Sequence, residues 1–181
     1  MKDLSMHIMD IVQNSVRAKA ENVRLAITLN EQWLIIKVED DGSGMDKETL
    51  KKVTDPFYTS RTTRKVGMGI PLILQNAELT GGNMCLSSEL GVGTTLTATF
   101  GREHIDRPPM GDIASTAAMM ITGNDGVNLQ FVVHRKDDEF AISTNEVKEA
   151  MGDVDIRLPK VTSFLKEMID ENLKELNIEF D

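Results

Sequence analysis

The sequence predicts an α/β protein: a two-layer α/β sandwich in which helices cover one face of a mixed sheet, followed by a small C-terminal α+β module. Three observations lead there. Residues 1–101 alternate between helical and strand-like hydrophobic patterns in the order helix, two strands, helix, loop, helix, two strands. Three glycine clusters stand at the ends of strands or loops. The charge balance changes near Gly101: residues 1–101 hold 11 Lys and Arg against 12 Asp and Glu, residues 102–181 hold 9 against 17.

The first helix runs from Asp3 to about Ala20. Leu4, Ile8, Ile11, Val12 and Val16 recur at helical spacing behind Asp3 as N-cap, and His7, Asp10, Asn14 and Arg17 form a polar stripe on another face. Residues 23–29 and 33–39 alternate in hydrophobicity on either side of Asn30-Glu31, which predicts an antiparallel hairpin. Residues 46–53 and 72–79 suit short helices. Residues 83–88 and 94–100 suit Thr-rich strands joined at Gly91-Val92-Gly93, with Cys85 as a small core residue. Pro108 and Pro109 interrupt regular structure after Gly101, so residues 101–109 form a linker or an ordered crossover. This sets two expected modules, 1–101 and 102–181.

Composition narrows the function classes. Apolar residues make up 40% and charged residues 27% of the 181, the profile of a globular chain. The formal charge of −9 argues against a nucleic-acid binder held by phosphate contacts. One cysteine gives no disulfide framework and fits a reducing compartment. No apolar run approaches the about 20 residues of a membrane helix, and the N-terminus lacks a signal-peptide pattern. The expectation is a cytoplasmic protein that binds neither membrane nor nucleic acid.

The glycine clusters carry the chemistry. Glu39-Asp40-Asp41-Gly42-Ser43-Gly44-Met45 follows an apolar strand, and Gly67-Met68-Gly69-Ile70-Pro71 opens a helix. Glycines leading into a helix N-terminus present unpaired N–H groups and the positive end of the dipole, which suits phosphate. Neither the dinucleotide G-x-G-x-x-G fingerprint nor the P-loop is present.

Taken together and in order over residues 6–100, these segments resemble the GHKL, or Bergerat-fold, ATP-binding domain of gyrase B subunits, ninety-kilodalton heat-shock chaperones, MutL and sensor histidine kinases. Asp10-Ile11-Val12-Gln13-Asn14-Ser15 resembles its N box. Asp40-Asp41-Gly42-Ser43-Gly44-Met45 resembles the D-x-G-x-G box. Asp55-Pro56-Phe57-Tyr58-Thr59-Ser60-Arg61 is similar to the F box of histidine kinases, residues 67–72 to their second glycine box, and residues 91–95 to the final G-x-G-T-T turn.

The resemblance implies roles. Asp40 accepts a hydrogen bond from the adenine amino group, Gly44 lets the ring lie against the backbone with Gly42 beside it in the same nucleotide-binding box, and Thr95 reaches the same edge, directly or through water. Met45 and Ile70 supply apolar contacts to the base. Asn14 gives a side-chain oxygen to Mg²⁺. Residues 54–68 form an ATP lid in which Arg61, Arg64 and Lys65 are available to the phosphates, with Gly67, Met68 and Gly69 at its end. Asp10 lies one helical turn from Asn14, where hydrolysing relatives carry a glutamate that activates water. An aspartate can act as the base but is one methylene shorter, so the resemblance leaves hydrolysis open.

Other polar residues carry simpler readings. Glu39 and Asp41 are strand-end charges, and His7 is structural or solvent-facing. His104 and His134 have no neighbours at metal-ligand spacing. In the second module, residues 112–121 and 144–151 suit helices, the latter with Thr144 as N-cap. Residues 129–134 and 140–143 suit a hairpin. Residues 162–176 form an amphipathic helix whose apolar stripe includes Phe164, Leu165, Met168, Ile169 and Leu173 and packs on the hairpin or docks a partner or a second copy. The expected function is Mg-ATP binding with transfer of the γ-phosphate to a separate partner protein; the alternative is an ATP-gated binding switch with slow or no hydrolysis.

Overall fold

The computed structural model describes residues 3–55, 69–124 and 126–181. Within them, six strands form one mixed sheet, covered on one face by helices, as the sequence leads one to expect. Strands β1 (Asn22–Leu29) and β2 (Trp33–Asp40) form the hairpin. Asn30 closes it by accepting at Oδ1 from the backbone N–H groups of Gln32 and Trp33, at 2.9 and 2.7 Å. Strands β3 (Asn83–Glu89) and β4 (Gly93–Gly101) form a second hairpin, and β4 pairs antiparallel with β2.

Residues 102–181 extend this sheet rather than building another. Strand β5 (Asn128–Arg135) pairs parallel with β1, and β6 (Asp138–Ser143) closes the edge, giving the order β3-β4-β2-β1-β5-β6. The alternating pattern aims Leu25, Ile27, Leu34, Ile36, Phe100 and Phe131 at one face, where all are fully buried in a single cluster. The change of charge at Gly101 thus marks a change of topology and not of core.

Helix α1 (Leu4–Arg17) is capped by Asp3, whose Oδ1 accepts from the Met6 N–H at 2.9 Å. Two further N–H groups of its first turn, on Leu4 and Ser5, donate to the carbonyls of Pro109 and Met110. Residues 101–109 are therefore an ordered crossover. Arg107 organises it, donating to the carbonyls of Arg102 and Phe180 at 2.6 Å each and to the Asp181 carboxylate at 3.0 Å.

Helices α2 (Lys47–Val53), α3 (Gly69–Leu79), α4 (Ile113–Gly123), α5 (Thr144–Met151) and α6 (Pro159–Glu175) complete the described elements. Three details differ from expectation. The N-cap of α5 is Ser143, because Thr144 Oγ1 instead accepts from the Leu129 N–H at 3.0 Å and ties the helix to β5. Helix α6 packs on α4 rather than on the hairpin. Cys85 is exposed: strand alternation places Met84 and Leu86 towards the helices and Cys85 on the opposite, open face. Among the described residues, no helix is long and apolar enough to cross a membrane.

One core through both halves has a measurable consequence. Trp33 on β2, the single tryptophan, reports on the first half, while Phe131 lies in the second. Phe131→Ala should lower stability by about 3–5 kcal/mol, and denaturant unfolding followed by Trp33 fluorescence should show the whole loss. An unchanged Trp33 transition would mean the halves unfold separately.

Candidate functional site

Strand β2 ends at Asp40, which the pleat turns towards the helical layer in line with Val38. Its carboxylate is held from two sides. Ser15, on the facing side of α1, donates to Oδ2 at 2.6 Å, and the Gly42 N–H donates to Oδ1 at 2.9 Å. A carboxylate oxygen accepts two hydrogen bonds, so both oxygens keep capacity for a ligand.

Asp40 borders a cavity of about 270 Å³ between α1, the end of the sheet and the start of α3, near the lower end of the about 300–1,000 Å³ typical of small-molecule pockets. Ile11, Val38 and Leu96 form apolar wall on the core side, and Met45, Val53, Ile70 and Leu86 line the remainder. Asn14 and Thr94 add polar groups, and Asp40 is the one ionisable side chain in the lining among the described residues. An apolar slot with one fixed carboxylate suits a flat heterocycle that carries an amino group, and the residues therefore fit an adenine ring.

The loop after β2 is locked against the β3–β4 turn. The Met45 N–H donates to Ser88 Oγ at 2.8 Å, and the Gly91 N–H to the Ser43 carbonyl at 2.8 Å. Gly44 stands there with φ +67°, and a Cβ on it would run into the Glu89 carbonyl oxygen. Asp41 is spent on structure. Its carboxylate accepts from the Asn22 side chain and from the backbone N–H groups of Asn22 and Glu21, and these bonds, the Asn22 side chain's foremost, hold its pKa below the usual aspartate value.

Asp10 lies beside the first residue of α3. A Cβ at Gly69 would collide with Asp10 Oδ2, so glycine is what lets the helix start this close. That oxygen is buried and has no hydrogen-bond partner among the described residues. Desolvation raises the Asp10 pKa, opposed in part by Arg17. One turn earlier, His7 is buried; its Nε2 accepts from the Asn76 side-chain amide at 3.1 Å, and its Nδ1 has no partner among the described residues. Burial lowers its pKa. His7 is structural, joining α1 to α3.

The structure thus brings Asn14, Asp40, Gly44, Met45 and Ile70 into one cavity lining, with Gly42 bound to Asp40 and Asp10 beside Gly69 at the α3 terminus. Thr95 is not in it. Strand β4 turns Thr94, Leu96 and Ala98 towards the helices, so Thr94 lines the cavity and Thr95 faces the other side of the sheet. Arg61, Gly67 and Met68, and with them Arg64, Lys65 and most of the expected lid, lie outside the described residues. Ser15 had no role from sequence. The signal was available in its position four residues after Ile11, which puts both on one face of α1.

Residues 2–104 match the family described as histidine kinase-, DNA gyrase B-, and HSP90-like ATPase. The sensor histidine kinase WalK of Bacillus subtilis is 33% identical over 100 residues, which is 50% of this chain and 16% of that protein. Sporulation kinase C of the same organism is 29% identical over 93 residues, 50% of this chain and 22% of that protein. The chain spans less than a quarter of the length of either relative. A solved structure titled as the N-terminal domain of a DNA repair protein superposes on 87% of this chain and 59% of its own, with a TM-score of 0.59 at 12% identity, a likeness of fold.

The half-buried carboxylate of Asp10, with its one buried oxygen, gives a pH-dependent prediction. Its pKa is raised in the folded state above the ordinary 3.8, so its contribution is favourable in acid and lost as pH rises through 3.8 to the folded value. Above that folded value the protein carries the cost of the ionised group. Asp10→Asn should therefore raise the melting temperature at neutral pH, and the gain should shrink to nothing below pH 3.8. Thermal unfolding at a series of pH values checks it; a variant less stable than wild type at pH 7 contradicts it.

Proposed function

The chain belongs to the histidine kinase-, DNA gyrase B-, and HSP90-like ATPase family, and on that premise we propose that it binds Mg-ATP and transfers the γ-phosphate to a separate partner protein. ATP binding follows from the family. The observation that carries its placement is Asp40, the one carboxylate of an apolar cavity, held by Ser15 and Gly42 with acceptor capacity to spare. It would accept from the adenine amino group, which guanine replaces with a carbonyl at that edge. Gly44 would let backbone approach the ring, Met45 and Ile70 would contact its faces, and Thr94 would take the role first assigned to Thr95.

Bound Mg-ATP would supply the transferable phosphoryl group and the charge that offsets its negative oxygens. Asn14, in the same cavity lining as Asp40, would offer a hard side-chain oxygen to Mg²⁺. The start of α3 at Gly69 would present N–H groups to the phosphates; Arg61 and Gly67 are assigned to them, and Met68 to the packing of the lid, by the resemblance alone. Positioning and charge neutralisation would then carry most of the rate. Transfer to a partner is supported by the likeness to proteins named as kinases over half of the chain.

One observation favours a second reading. Asp10 has a buried oxygen beside the α3 terminus with no partner among the described residues, and a raised pKa, as suits a base that accepts a proton from attacking water. The chain would then hydrolyse ATP slowly to ADP and phosphate and present different surfaces in its nucleotide states.

ATP labelled in the γ-phosphate separates the two. Incubated with the chain and an extract of its source cells, label should move to a second protein, and Asp40→Ala should abolish this. Label released as inorganic phosphate with or without extract, and lost in Asp10→Asn, would replace transfer with the hydrolysing switch.

A further inference from the structure

Helix α6 carries two apolar stripes. Val161, Leu165, Ile169 and Leu173 recur at four-residue spacing and are buried in the core. Phe164 and Met168, also four residues apart, lie on an adjacent face, and Phe164 remains 59% exposed. They border a groove of about 210 Å³ between α5 and α6. Its floor is buried core, from Ile142, Val147 and Leu165, and Met151 and Met168 stand on its two sides. Methionine is unbranched and polarisable, and adapts its shape to an incoming apolar side chain.

The surroundings are acidic. Glu146 lines the groove itself. Glu167 and Glu171 are exposed on α6, three residues after Phe164 and Met168 and so beside that stripe. Residues 144–175 hold eight Asp and Glu against five Lys and Arg. Of those cations, Arg157 pairs with Asp155 and Lys166 with Asp112. Lys148, Lys160 and Lys174, also exposed on these two helices, are fewer than the acids.

We infer that the α5–α6 groove docks an amphipathic helix of a partner protein, with apolar residues between Met151, Phe164 and Met168 and Lys or Arg residues facing Glu146, Glu167 and Glu171. A helix matches the site because its apolar residues recur every three to four positions and can follow the Phe164–Met168 stripe, with basic residues on the flanks. The inference rests on the proposed function where that function requires a separate protein partner, and it names that partner's chemistry. The groove lies on α5 and α6, away from the Asp40 cavity, and shares no lining residue with it.

The test uses the full chain, isotope-labelled for amide spectra, and three synthetic peptides of about five helical turns. The first alternates Leu and Lys in amphipathic order, the second has Glu for each Lys, and the third has Ser for each Leu. The Leu/Lys peptide should bind saturably and shift amides of α5 and α6. Phe164→Ser should weaken it about tenfold or more, and so should Glu146→Lys combined with Glu167→Lys. Phe164 is exposed, so its variant should keep the wild-type melting temperature; Met168→Gln gives an independent reading if it does not. Equal binding of either control peptide, shifts confined to other elements, or affinity unchanged in the variants overturns the inference. So does a homodimer that Phe164→Ser dissolves, since the groove would then belong to a second copy. ATP titrated into the same samples keeps the questions apart: wild type that binds no ATP sinks the proposed function, whereas ATP binding with no peptide response sinks the docking site alone.

Discussion

Strand β2 delivers a carboxylate to the boundary between sheet and helices, and the hydrogen bond from Ser15 to Asp40 decides how α1 lies across it. At 2.6 Å this charge-assisted bond joins the helix that carries Asn14 and Asp10 to the strand that forms the floor of the cavity. The Gly42 N–H holds the other oxygen, so the carboxylate cannot turn away from the cavity without losing two bonds. Everything else at the site is arranged around that fixed group. The loop 41–46 passes against the β3–β4 turn because Gly44 permits it, and α3 begins against Asp10 because Gly69 has no side chain.

The sheet supports this arrangement from both sides. Strand β2 is flanked by β1 and β4, and β1 in turn is flanked by β5, so the strand bearing Asp40 is interior rather than an edge. The second half of the chain is part of the same support. Its strand β5 buries Phe131 and Val133 beside Leu25 and Ile27, and its crossover through Pro109 and Met110 satisfies the first N–H groups of α1. A helix that carries functional groups is thereby anchored at its start by one half of the sequence and at its Ser15 end by the other.

Much of this was legible from sequence, for identifiable reasons. Alternation in residues 23–29, 33–39 and 94–100 matches strands, Asp3 caps α1, and the family resemblance carried by residues 10–15 and the glycine segments names Asn14, Asp40, Gly44, Met45 and Ile70, which line one cavity. What escaped was mainly orientation. Alternation says that neighbours on a strand face opposite ways without saying which way, so it separates neither Thr94, which lines the cavity, from Thr95, nor an outward Cys85 from an inward one. The parallel pairing of β5 with β1 is a contact between residues about 106 positions apart, and nothing local specifies such a partner. At the start of α5 two adjacent residues, Ser143 and Thr144, are both of capping type, and the bond from the Leu129 N–H that occupies Thr144 leaves the cap to Ser143.

The central claim is that Asp40 reads adenine. Calorimetric titration of ATP and of GTP in the presence of Mg²⁺, into wild type and Asp40→Ala, tests it most directly. The account predicts saturable ATP binding, much weaker GTP binding, and loss of the ATP signal in the variant. Equal binding of the two nucleotides, or ATP binding that survives Asp40→Ala, would contradict it.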